Sequence, residues 1–144
     1  MSVSHTVRLV LLVIAALVNA DASGDDSELE RLRLELKVAA PPEQYPDHAE
    51  YRIFPKLCNE RICFKVLAVR FVSHAGPVIR LAVFSEAGHY IGSYQGLKLM
   101  PARAAGPILH FPATTRANTI RFDRSSPPAE IRIDDRAHVF EFAR

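Results

Sequence analysis

Short runs of alternating apolar and polar residues predict most of the secondary structure of this chain. The clearest alternation lies near the C-terminus, where charged residues separate paired apolar positions: Ile120 and Phe122, Ile131 and Ile133, and Phe140 and Phe142. Successive side chains on a strand point to opposite faces, so residues two apart share a face. This spacing predicts three strands that are each buried on one face.

A hairpin is predicted in the middle of the chain. Residues 78–84 are rich in strand formers and follow the turn signal Gly76-Pro77. Residues 85–88 form a predicted turn that leads into a second strand over 89–94. Residues 96–100 and 107–111 are shorter strand candidates, separated by a loop that contains Pro101 and Gly106.

The C-terminal alternation also suggests a pairing register. If residues 119–123 and 131–134 are antiparallel neighbours, Arg121 lies opposite Asp134 and Asp123 lies opposite Arg132. Opposite charges that face each other across strands contribute about 0.2–1 kcal/mol per pair. Asp134-Asp135 is then a solvated turn that leads into the terminal strand over 138–142.

Residues 29–38 carry two competing periodicities. Leu32, Leu34, Leu36 and Val38 alternate with charged residues, which favours a half-buried strand. The segment is nevertheless rich in good helix formers, and Ser27 with Glu30 resembles a capping box, so a helix stays open as the alternative. The prolines that follow, within residues 41–46, end either element.

Together these elements predict an all-β fold of about eight short strands. We expect an antiparallel β-sandwich, immunoglobulin-like in architecture, or a small barrel. The predicted organisation is a signal peptide over 1–22, an N-terminal strand or helix with a proline-rich linker over 23–46, and one β domain over 47–144.

The N-terminus predicts export. Arg8 precedes the ten-residue apolar run 9–18, and small residues then allow cleavage after Ala20 or Ala22. A helix that spans a bilayer needs about 20 apolar residues, twice the length of this run. We therefore expect a periplasmic or secreted protein without stable membrane insertion.

Cys58 and Cys63 are the only two cysteines in the chain. Export favours their oxidation, and four intervening residues suit a hairpin loop that sets them opposite each other on antiparallel strands. Cross-strand Cα atoms about 4.5 Å apart fit a disulfide. Zinc would require further ligands at short spacing, and a redox pair normally has two intervening residues, so a structural disulfide is predicted.

The common catalytic motifs are missing. Ser93, in the stretch Gly92-Ser93-Tyr94-Gln95-Gly96, is second of five where an esterase elbow has it third, so the two glycines are interpreted as a bend or bulge in a sheet. No nucleotide-binding or phosphate-binding pattern is present, and no cofactor is predicted.

Three histidines suggest an alternative function that involves metal binding or catalysis. Each of three lies in a different predicted strand, where folding could bring them together: His89, His110 and His138. They would then form a metal-binding site or the centre of a small enzyme.

A net charge of +2, with acidic residues interleaved among the arginines, predicts no nucleic-acid partner. The favoured function is a non-catalytic binding or protein-interaction module, such as an inhibitor or accessory protein, whose partner is another exported or envelope protein. The candidate contacts lie on predicted strands and loops, with the 101–107 loop among them: Tyr90, Tyr94, Arg103 and Arg116. No motif in the chain resembles that of a known family.

Overall fold

The computed structural model describes residues 26–112 and 118–144. The predicted signal peptide and Arg116 lie outside these ranges. One helix, α1, covers residues 26–39. Ten strands follow: β1 Glu50–Ile53, β2 Leu57–Cys58, β3 Cys63–Ser73, β4 Gly76–Ser85, β5 Tyr90–Leu97, β6 Arg103–Ala105, β7 Ile108–His110, β8 Thr119–Arg121, β9 Glu130–Ile133 and β10 Arg136–Phe142.

Seven strands form one antiparallel sheet in the order β1-β3-β4-β5-β10-β9, with β2 paired to β3 beyond the end of β1. Its centre is a continuous meander, because β3, β4 and β5 are joined by short turns. The predicted hairpin with its turn at residues 85–88 is confirmed as β4–β5.

A second sheet, β6-β7-β8, covers one face of the large sheet. Phenylalanine and aliphatic side chains from both sheets fill the space between them, with Phe64 and Phe122 in contact across it at 5.6 Å between ring centroids. The sandwich-like all-β fold is therefore confirmed, and the sheet does not close into a barrel. The three central strands are longer than expected, at 11, 10 and 8 residues.

The strand preferred for residues 29–38 is wrong, because these residues belong to α1. The helix buries Leu32 and Leu36 against the other face of the large sheet and leaves Leu34 and Val38 exposed. The alternation was misleading because the strand prediction required all four apolar residues to face the core. High helix propensity and the close spacing of the buried leucines, with partly buried Leu29, outweigh the exposure of the other two.

The predicted pairing of residues 119–123 with 131–134 is also wrong. β8 pairs with β7, so Arg121 lies opposite Ile108, whereas β9 pairs with β10 in the other sheet. The Asp134-Asp135 turn into β10 is confirmed, with φ values of 49° and 61° at its two residues. Two consecutive positive φ values match a tight hairpin turn, which makes β10, not β8, the neighbour of β9.

The disulfide is confirmed. Cys58 and Cys63 face each other on β2 and β3 with their Cα atoms 4.0 Å apart and are covalently joined. In the residues that the structure describes, no helix is both long enough and apolar enough to cross a membrane.

The glycines near the middle of β5 permit the irregularity predicted for them. The register of β5 against β4 shifts twice, once beside Gly92 and once at Gln95-Gly96. Gly96 has a φ of 70°, a left-handed conformation that glycine adopts without steric cost.

Candidate binding groove

The large sheet is only partly covered on its helix side. α1 packs over β3 and β4, where it contacts Leu67, Val69, Ala82 and Phe84. β5 and β10 continue the same face beyond the helix, which leaves an open groove of about 520 Å³. We call this the β5–β10 groove. It is lined by Ala39, Ala40, Pro41, Gln44, Tyr90, Ser93, Gln95, Glu141, Phe142, Ala143 and Arg144.

Tyr90 lines the groove and is held in place by the buried Tyr45. The hydroxyl groups of Tyr45 and Tyr90 lie 3.2 Å apart, and their rings meet edge to face with centroids 6.2 Å apart. Burial raises the pKa of Tyr45, and the neighbouring Tyr90 raises it further. Both effects keep the Tyr45 hydroxyl protonated, so it serves as a hydrogen-bonding group and not as a charge.

Ser93 lies on the floor, and its side chain partly offsets the rise in the pKa of Tyr45. It pairs with Ala82 on one side and Glu141 on the other, within a continuous strand. Ser93 is 1% exposed. A serine that is buried in a strand lacks the exposed turn of an esterase nucleophile, in line with the interpretation of the sequence.

The helix wall is fixed by a direct contact with the sheet. The Tyr90 backbone N–H donates to Glu35 Oε1 at 3.3 Å, which ties α1 to the start of β5. The opposite end of the floor carries a second polar contact, since Gln95 Nε2 donates to Glu141 Oε2 at 2.7 Å. The groove therefore has anchored polar groups on its wall and floor.

An exposed aromatic residue lies at the end of β10, where the strand borders the groove. Phe142 is 65% exposed, yet its ring meets the buried Phe140 edge to face with centroids 4.9 Å apart. Phe140 packs in turn against Tyr94 at 4.9 Å. The ring of Phe142 therefore lies on the same sheet face as Phe140, as the alternation predicted, but it is exposed at the end of the strand.

The predicted contact residues are dispersed. Tyr90 lies in the groove, whereas Tyr94 is fully buried and its hydroxyl donates to the Pro128 carbonyl at 2.6 Å. Burial also raises the pKa of Tyr94, so this side chain is a neutral core residue without surface for a partner. Arg103 is exposed on β6, and Arg116 lies outside the described residues.

The 101–107 loop contains β6 and a turn at Gly106, so it is more regular than expected. The backbone carbonyls of Pro101 and Ala102 accept hydrogen bonds from Arg52 at 3.2 and 3.1 Å. These contacts tie the start of the second sheet to the edge strand β1.

The three histidines occupy different environments. His89 is exposed in the turn before β5, and His110 ends β7 in the second sheet. His138 is buried on β10, and its Nδ1 lies 3.0 Å from the Gln95 carbonyl, which requires a proton on Nδ1. Within residues 26–112 and 118–144, no three His, Cys, Asp or Glu side chains are grouped so as to hold a metal ion.

A wider concavity of about 780 Å³ lies beside the disulfide loop, between Cys58–Arg61 and Asp123–Ser125. Its central polar group is Asn59, which sequence analysis missed. The Asn59 amide donates to the Phe122 and Arg124 carbonyls, and its Oδ1 accepts from the Arg61 and Ile62 N–H groups. These four bonds use the full capacity of the side chain, so Asn59 has a structural role here.

Comparison with known proteins finds no matching family model, no similar curated protein and no similar solved structure. The function is therefore argued from the geometry of the groove.

Proposed function

We propose that this protein is an exported, non-catalytic binding module that holds part of another exported or envelope protein in the β5–β10 groove. In this role it acts as an inhibitor or accessory protein. The observation that carries the proposal is Phe142, which is 65% exposed at the end of β10, where it borders the groove, and whose ring is anchored by Phe140. Aromatic residues whose position is fixed before binding are typical of the energetically dominant contacts of protein interfaces.

The chemistry of the groove supports a binding role. Polar side chains lie on the floor and Phe142 is exposed at the end of the same strand, and such a combination suits a peptide segment that has both apolar and polar groups. Val139 adds apolar surface to the proposed contact region, because it is 63% exposed on β10 and two residues from Glu141. The helix side of β10 thus offers contacts for a segment that extends beyond the groove.

Export is supported by the disulfide together with the leader-like N-terminus. Cytosolic reductants keep most thiols reduced, whereas disulfides persist in a periplasm or outside the cell. A disulfide that closes a short hairpin in a small β domain is compatible with that environment.

Substitution of Phe142 by Ser tests the contact at the end of β10, beside the groove. The partner should co-purify with the wild-type protein from its own compartment, and Phe142→Ser should lower its affinity about 30-fold, since losing an aromatic anchor costs about 2 kcal/mol. The partner recovered with the wild type is then purified and titrated calorimetrically against each variant.

The matched control is Val72→Ser, which removes a side chain of comparable exposure (73%) near the β3–β4 turn. This variant should bind like the wild type, and both variants should keep the thermal midpoint within a few degrees. Equal binding by Phe142→Ser and wild type would refute the contact at the end of β10, and the absence of any stoichiometric partner would refute the binding role.

Export has its own test, the intact mass of the protein isolated from the native cell. We expect a chain that begins at Asp21 or Ser23 and is two hydrogens lighter than its reduced form. A chain that retains residues 1–20, or two free thiols after denaturation under non-reducing conditions, would contradict export and oxidation in that compartment.

A further inference from the structure

β9 forms an open edge of the seven-stranded sheet. It pairs with β10 on one side, and no other strand in the described ranges pairs with it. The Phe140 N–H donates to the Ala129 carbonyl at 2.8 Å, which marks residues 129, 131 and 133 as those whose backbone groups point toward β10. The backbone groups of Glu130 and Arg132 therefore point to the open side.

The side chains of Glu130 and Arg132 are exposed on the helix side of this edge. Among the residues that the structure describes, neither forms an ion pair or a side-chain hydrogen bond. As far as residues 26–112 and 118–144 are concerned, both the charged side chains and the backbone groups of Glu130 and Arg132 are available for an incoming strand.

The opposite edge of the sheet provides an internal comparison. β1 reads Glu-Tyr-Arg-Ile where β9 reads Glu-Ile-Arg-Ile. On β1, however, Glu50 pairs with Arg70, and Arg52 donates to the carbonyls of Pro101 and Ala102. Within the described part of the chain, the same charge pattern is therefore satisfied on β1 and left without partners on β9.

The charge pattern of β9 is self-complementary. When a second copy of β9 runs antiparallel with Ile131 opposite Ile131, Glu130 of each copy lies opposite Arg132 of the other. Both members of these pairs have outward-pointing backbone groups, so this register also forms hydrogen-bonded residue pairs. It yields two Glu–Arg pairs and four backbone hydrogen bonds around a two-fold axis at Ile131.

Both ends of the edge limit the pairing to this segment. Pro128 has no backbone N–H to donate. At the other end, the Asp134 N–H is already bound to Asn118 Oδ1 at 3.2 Å. A longer strand from a partner would meet these two blocked positions, whereas a second copy of β9 needs only residues 130–132.

We propose that two copies of this chain associate through β9, so that their large sheets join into one continuous antiparallel sheet. The two-fold axis is perpendicular to that sheet, so both β5–β10 grooves open on the same side. Five strand spacings separate one β5 from the other, which places the grooves roughly 20–25 Å apart. The dimer would bind a repetitive or dimeric partner with two grooves at once, which raises the apparent affinity.

Charge reversal at β9 tests the dimer by sedimentation equilibrium. Arg132→Glu sets Glu130 against a glutamate at both ends of the interface and should weaken association by about tenfold or more. The double variant Glu130→Arg/Arg132→Glu restores a self-complementary pattern and should return association to within about threefold of wild type. Both sites are exposed, so folding should persist, and thermal unfolding checks this.

The matched control is Arg103→Glu, which makes the same charge change on the exposed surface of β6. It should leave the dimer unchanged. A wild-type chain that is monomeric at about 1 mM overturns the proposal. A dimer that Arg132→Glu does not weaken, or that the double variant does not restore, overturns it as well.

Discussion

Replacement of Gly92 by Ala should lower the free energy of unfolding by about 3 kcal/mol and the melting temperature by about 10 °C. A Cβ atom at Gly92 would lie 2.2 Å from the Glu141 backbone carbonyl oxygen and 2.8 Å from Phe140 Cζ. The oxygen belongs to a neighbouring strand and cannot rotate away as a side chain could. The added methyl group must therefore push β10 away from β5.

The cost is large because β5 and β10 are joined over a short stretch. Three residue pairs connect them, from Phe140 with Tyr94 to Phe142 with Gly92, and the Ala143 N–H adds a bond to Ile91 at 2.8 Å. Among the strands that the structure describes, β9 pairs only with β10. Displacement of β10 therefore also loosens the packing of Phe140 and distorts the β5–β10 groove.

Chemical denaturation and calorimetry measure the effect, and amide exchange at Ala143 reports whether β10 separates locally. The control is Gly96→Asn in the same strand. A Cβ at Gly96 meets no atom within 4 Å, and asparagine tolerates its φ of 70° better than most residues, so we expect a loss below about 1 kcal/mol. A Gly92→Ala loss no larger than that of the control would contradict the close approach of β10.

Sequence alone predicted the parts of the fold that depend on local geometry. The Cys58–Cys63 hairpin follows from a spacing of five residues, and the Asp134-Asp135 turn follows from the preference of aspartate for turns. In both places the partner strands are adjacent in the chain, so no distant contact decides the pairing.

The pairing of strands that are distant in the chain could not be predicted from the sequence pattern. The predicted register was based on matching the charges of Arg121 and Asp134. In the structure β8 and β9 belong to different sheets, and this assignment depends on how the whole core packs. Cross-strand ion pairs contribute too little to select a sheet against the burial of Ile120, Ile131 and Ile133.

The candidate site shows the same limit. Tyr90 was chosen from composition and does line the groove, whereas Tyr94, four residues away, is buried beneath the second sheet. The groove exists because α1 covers β3 and β4 but not β10, and Phe142 is exposed on the other face because it lies at the end of β10. Neither property can be derived from the alternation of apolar residues along the chain.

Substitution of Asn59 should produce the other large loss of stability. Its amide joins the disulfide loop to the segment after β8 by 2.9 Å bonds to the Phe122 and Arg124 carbonyls. Its Oδ1 accepts from the N–H groups of Arg61 and Ile62 at 2.8 and 3.0 Å. Because Asn59→Ala removes all four bonds and leaves partly buried backbone groups unpaired, we expect a loss of about 2–3 kcal/mol in urea unfolding.

Asn59→Asp separates the two functions of this side chain. A carboxylate still accepts from the loop N–H groups, but it cannot donate to the Phe122 and Arg124 carbonyls and repels them instead. If the contact with the segment after β8 provides most of the stability that Asn59 contributes, Asn59→Asp at neutral pH should be at least as unstable as Asn59→Ala. Glu60→Ala, an exposed neighbour in the same loop, should change stability by less than about 0.5 kcal/mol. Wild-type stability in Asn59→Asp would show instead that the turn within the loop, and not its attachment to the second sheet, is what Asn59 stabilises.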